Sequence, residues 1–142
     1  MTLINDITSI DAFIAQKFPS AHMFKQTAPL KPDANTFVTQ LQNDRRTTET
    51  NVSWRTEREY QIVYFGASAQ DVLAKMDELS SAIYSVKVID KIYADSFAYG
   101  MPFKSAEGVY ASVGILTAIT REMKSMAAYE NADKIMHVNI RI

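Results

Sequence analysis

Apolar and polar positions alternate along the stretch from Asn51 to Phe65, Asn-Val-Ser-Trp-Arg-Thr-Glu-Arg-Glu-Tyr-Gln-Ile-Val-Tyr-Phe. Val52, Trp54, Thr56, Arg58, Tyr60, Ile62 and Tyr64 share one face; Ser53, Arg55, Glu57, Glu59, Gln61, Val63 and Phe65 share the other. A period of two with β-branched and aromatic enrichment predicts a β-strand, and one that outruns the usual length of about 5–6 residues. The second face is charged over its first half and apolar only at Val63 and Phe65. The early half is therefore expected to stand clear of the core, and the late half to be buried on both sides.

Elsewhere the pattern alternates between helix and strand periods. From Thr2 to Phe18, Leu3, Ile7, Ile10 and Ile14 form one stripe, widened by Ile4 and Phe13, while Asn5, Asp6, Thr8, Ser9 and Gln16 point away. This spacing predicts an amphipathic helix that Pro19 ends, because the residue before a proline is pushed out of helical dihedrals. His22 to Lys25 reads as a short strand, and Pro29 and Pro32 mark a loop. Thr36 to Asn43 alternates, and polar residues 44–50 join it to the long strand as a projecting hairpin tip. Ser68-Ala-Gln-Asp71 is a helix-start box, with Ser68 as cap and Asp71 reaching back. Val72, Met76, Leu79 and Ile83 follow at helical spacing, with Leu73 beside them and Lys75, Asp77 and Glu78 toward solvent.

Val86 to Ile89 is a short β-prone run. Lys91 to Met101 alternates, with Tyr93, Asp95, Phe97, Tyr99 and Met101 on one face. Val109 to Arg121 is a second long strand, in which Gly114 signals a bulge or a close approach of backbone. Residues 124–134 read as a mobile polar insertion, and Met136, Val138, Ile140 and Ile142 as a final strand. The expected fold is α+β: a mostly antiparallel sheet of four to five strands with two amphipathic helices on one face, in a single domain spanning 1–142.

Composition narrows the function classes. Net charge is −1 and 22% of the 142 residues are charged, unlike a dedicated nucleic-acid binder. There is no cysteine, hence no disulfide framework, thiol nucleophile or thiolate metal site; the absence fits a reducing cytosol. No apolar run approaches the roughly 20 residues that span a bilayer. The opening Met-Thr-Leu-Ile-Asn-Asp has no basic region, so no signal peptide is expected. His22 and His137 lack metal-ligand spacing, and the four glycines form no phosphate-cradling loop. No catalytic, cofactor or metal residue is assigned.

What remains is charge and aromatic surface on the predicted hairpin: Arg45, Arg46, Glu49, Trp54, Arg55, Glu57, Arg58 and Glu59. Arginine and aromatics mixed with acids point first to a subunit or partner interface. A solvated surface comes second, with Glu57 and Glu59 neutralised across strands rather than acting as an acid–base pair. Nucleic-acid contact comes third, because the acids cancel the basic charge. A remoter alternative is a small-molecule enzyme or binding module, using Tyr93, Asp95 or Glu59 in a cleft between helix and sheet.

The order of features resembles the tail terminator (tail completion, neck) proteins of long-tailed bacteriophages and prophages. The likeness rests on a helix ending Phe18-Pro19, a strand with Thr36-Phe37-Val38, the long strand Arg55-Thr-Glu-Arg-Glu-Tyr-Gln-Ile-Val-Tyr-Phe65, and the capped helix from Ala69 to Leu79. It runs to about Arg121 and excludes the insertion at 124–134. The resemblance implies a non-enzymatic structural protein without cofactors. It would form a ring, commonly a hexamer, that caps the head-proximal end of the tail tube and offers a head-docking surface. Expected partners are further copies of itself, the tail tube protein and the head connector or stopper, with DNA only as passing cargo and no membrane. The expected location is the head–tail junction of the virion, after assembly in the host cytoplasm. Another head–tail joining protein (stopper or adaptor) or a tube subunit is the alternative within the same class.

Overall fold

The computed structural model describes residues 3–26, 33–105 and 108–123. Within them the chain runs α1 (Leu3–Lys17), β1 (His22–Lys25), β2 (Thr36–Thr48), β3 (Ser53–Gly66), α2 (Ala69–Val86), β4 (Val88–Ile89), β5 (Ile92–Tyr99), β6 (Phe103–Lys104) and β7 (Tyr110–Met123). The fold is α+β, with a seven-stranded sheet in the order β1-β2-β3-β7-β5-β4 and β6 on β7. The expectation of four to five strands falls short because β4 and β6 are two residues each, too short to show a period. The sheet is also mixed: β1 runs parallel to β2 while the other pairings are antiparallel.

Both helices lie on one sheet face. Ile7, Ile10 and Ile14 of α1 and Val72, Met76, Leu79 and Ile83 of α2 pack over Phe37, Tyr60, Ile62, Tyr64, Ile92, Ala94, Phe97, Leu116 and Ala118. Each fully buried large side chain contributes about 1.5–3 kcal/mol by leaving water, so this layer holds the fold. On the opposite face Val38, Phe65 and Ala111 form a smaller cluster with Val63 and Val109. The late half of β3 is thus apolar on both sides, as its sequence predicts. At Gly114 a β-carbon would stand 2.6 Å from the Phe97 ring and 2.9 Å from the Met76 methyl. The glycine marks a close approach in which Phe97 lies on the backbone of β7.

Helix starts and stops follow local chemistry. The α1 ladder closes with Phe18 N–H donating to the Ile14 carbonyl, just before Pro19. Ser68 Oγ accepts from the Asp71 N–H at 3.2 Å, capping α2. The Asp71 carboxylate does not return to the cap; it accepts from the Tyr64 hydroxyl, also at 3.2 Å. At the other end Lys87 takes a left-handed conformation (φ 61°), and its N–H closes on the Ile83 carbonyl.

Two bulges shift the alternation. In β5 the register slips between Ala94 and Ser96, so Tyr93 is exposed whereas Phe97 is buried, although the sequence places them on one face. In β2 it slips between Leu41 and Asn43. Residues 44–48, expected to be a loose tip, are strand: they pair with Trp54 to Arg58, and the turn is confined to residues 49–52. The predicted features at Pro29, Pro32, 124–134 and 136–142, including His137, lie outside the described residues.

Candidate functional site

The hairpin forms an arm with two different sides. β1 pairs with β2 only from Thr36 to Thr39. Gln26 then finishes that edge: its side-chain oxygen accepts from Leu41 N–H at 2.6 Å, and its carbonyl accepts from the Gln40 amide at 3.0 Å. Past Leu41 no described strand covers the outer side of β2, and every residue from Gln42 to Asn51 is exposed. β3, one strand inward, lies between β2 and β7 and is half-buried or buried throughout.

The predicted surface residues divide accordingly. Arg45, Arg46 and Glu49 are exposed; Trp54, Arg55, Glu57 and Glu59 are half-buried. Arg55 and Glu57 stand 3.7 Å apart on the face away from the helices, where Arg45 is the in-register neighbour of Glu57. Gln42 donates to Glu59 at 3.4 Å. Arg121 Nε donates to Glu49 at 3.0 Å, tying the hairpin turn to β7. Glu57 and Glu49 are paired with arginines and Glu59 is held by a neutral amide, which fits a charged ladder rather than an acid–base pair.

Arg58 is a correction. It is 2% exposed and points under α1, so it is not available to a partner. Its guanidinium donates to the buried carboxylate of Asp6 and, at 3.3 Å, to Asp44 across the ladder. Burial opposes the guanidinium charge, but Tyr60 and then Asp44 and Asp6 outweigh it and hold the Arg58 pKa above its ordinary value. Burial pushes the Asp6 carboxyl up, against the pull of Arg58, and pushes the Tyr60 hydroxyl up to about 12. Asp6, read from sequence as solvent-facing, is therefore interior. The signal was present: Asp6 lies three residues after Leu3 and four before Ile10, on the apolar stripe.

Asp11, between Ile7 and Ile14 on the same stripe, was missed for the same reason. It is 6% exposed and burial raises its pKa; the Thr39 hydroxyl and then Lys25 favour the ionised form. Thr39 acts as a nearby dipole, since among the described residues neither Asp11 oxygen closes a hydrogen bond of good geometry.

The residues of a hypothetical helix–sheet cleft do not converge. Tyr93 and Asp95 are exposed on β5, and Glu59 lies on the face away from the helices, with β7 between β3 and β5. Two hollows of about 380 and 420 Å³ adjoin between α1 and the end of α2 and share Phe13, Gln16 and Val86. They contain none of these three residues. His22 is exposed, and no cluster of three potential metal ligands occurs among the described residues. No helix among them is long and apolar enough to cross a membrane.

No protein-family model matches the chain, and no curated protein matches it.

Proposed function

We propose that this chain is a structural subunit of a ring that caps the head-proximal end of a phage tail tube, ending tube growth and presenting a surface to the head connector. The observation that carries the reading is the arm. The β2–β3 ladder continues from Asn43↔Glu59 to Thr48↔Trp54, past the last β1 contact, with β2 exposed throughout. An open strand edge of this length is a ready pairing surface, which proteins ordinarily blunt or cover; a subunit completed by its neighbours has a use for it. The order of helix, short strand, long hairpin, capped helix and further antiparallel strands supports the resemblance to tail terminators drawn from the residues. The partners on this reading are other copies of the chain, probed first as a hexamer, then the tube protein and the connector or stopper. The place of action is the head–tail junction of the virion.

The test adds purified protein to growing tubes of the tail tube protein from the same phage genome, followed by electron microscopy. A terminator leaves short tubes with a ring at one end. Tubes that elongate unchanged and carry no ring overturn the proposal, and tubes that incorporate the protein along their length make it a tube subunit.

A further inference from the structure

Two places in the described chain carry like charges on adjacent residues: Arg45-Arg46 and Asp77-Glu78. All four side chains are exposed, and none makes an ion pair or hydrogen bond with the described residues. The other charges of the arm differ. Arg58 holds Asp6 and Asp44, Arg55 holds Glu57, and Arg121 holds Glu49. Arg45 and Arg46 are the cations of the arm that form no ion pair with a described residue.

Their geometry suits an edge-on contact. Consecutive strand residues point to opposite faces, and the register places Arg46 beside Thr56 on the helix side and Arg45 beside Glu57 on the other. The free edge of β2 therefore carries a guanidinium on each side, like the prongs of a fork. Asp77 and Glu78 lie on the outward surface of α2, about 100° apart around the helix axis, with Leu73 one turn earlier and 44% exposed. A fork laid edge-on across that turn meets one carboxylate per prong.

The donor and acceptor sit on different elements, the edge of the sheet and the back of the helix layer. Two β2 edges set against each other would instead bring arginines together, and like charges facing across a strand pair are destabilising. We propose that the Arg45–Arg46 edge of one copy docks on the Asp77–Glu78 turn of α2 in a neighbouring copy, as the head-to-tail contact of the assembly. Such a contact is heterologous and closes into a ring when its rotation closes. The inference deepens the ring reading and rests on it.

The experiment is native mass spectrometry, with and without tube ends, on the full chain and two charge-reversed forms, Arg45→Glu/Arg46→Glu and Asp77→Lys/Glu78→Lys. All these positions are exposed, and circular dichroism checks that each form is folded. Each reversed form alone is expected to lose assembly, with Kd raised roughly a hundredfold or more. An equimolar mixture is expected to regain it, because the unchanged arm of one fits the unchanged helix of the other and the two reversed sites also match. Reversed forms that assemble like the natural chain, or a mixture that fails to recover, overturn the contact while leaving the ring reading intact. A natural chain that stays monomeric on tube ends overturns both.

Discussion

Arg55 and Arg58 stand three residues apart on β3 and face opposite sides of the sheet. Each meets a carboxylate, yet the two pairs are different physical objects. Arg58 is shut under α1, with side-chain exposures of 3% for itself and 1% for Asp6. Arg55 and Glu57 keep 38% each. In the first pair two ions have left water and depend on one another; in the second, water solvates both and the attraction is small. The alternation that separates the two faces is the same, so what distinguishes them is the helix that covers one side. Charge on an alternating strand is not by itself a sign of surface.

The largest effect expected from breaking this contrast is at Arg58. Arg58→Ala strands the Asp6 carboxylate in the interior and should cost about 3–5 kcal/mol in urea unfolding. Replacing both partners, Asp6→Leu with Arg58→Met, should recover most of that loss or exceed it, since well-packed apolar substitutes for a buried pair are often neutral or stabilising. A double variant as unstable as the single one would show that the pair contributes more than mutual compensation.

Gly114→Ala comes next. Its new methyl meets the Phe97 ring from inside the core, and overpacking of this kind costs about 1–3 kcal/mol, read as a lowered melting temperature. The same change at Gly100, where the nearest atom to an added β-carbon is 3.9 Å away, should have a much smaller effect.

Asp11→Asn should act in the other direction. A carboxyl whose folded pKa is raised above its unfolded value favours the native state at low pH, and that contribution is lost as pH rises through the folded pKa. The asparagine variant should match the natural protein below about pH 3.8, the ordinary aspartate value. It should become more stable toward neutrality, by about 1–3 kcal/mol. Equal stability of the two at pH 7 would mean that the ionised carboxylate finds a partner in solution. The smallest effect is at Arg55→Ala, about 0–1 kcal/mol and diminishing with salt. A loss approaching that of Arg58 would erase the distinction between the faces.

Most of the framework was legible from periodicity. The stripe Ile7, Ile10, Ile14 and the series Val72, Met76, Leu79, Ile83 gave both helices and their buried faces, because burial of one stripe is what makes a helix stable. The late half of β3 was legible for the same reason, but its early half, expected to stand clear of the core, is half-buried or buried from Ser53 to Glu59. Three things were not. Two-residue strands such as β6 have no period and form only where a neighbour supplies the ladder. A bulge at Gln42 or Asp95 leaves no local mark, since it is decided by what the next strand presents. The partners of Asp6 and Arg58, 52 residues apart, met only through the fold. Of the candidate site, the exposed β2 half was read correctly as surface. Arg58 was misassigned because α1, far upstream of the strand in sequence, covers it.

The Gln42 bulge has a further consequence, for the lengths the arm can take. By adding one residue to β2, it brings Asp44 rather than Asn43 opposite Arg58. Every position beyond it depends on that parity, because a one-residue slip sends each side chain to the other face. One residue inserted between Asn43 and Arg45 would put Arg45 where Arg46 stands, one deleted there would put Arg46 where Arg45 stands, and either would turn the prongs around. Changes of two residues, matched on β3 between Ser53 and Arg58, would preserve every facing. Among descendants of this sequence, the arm should therefore lengthen or shorten in steps of two, with the bulge as its fixed origin.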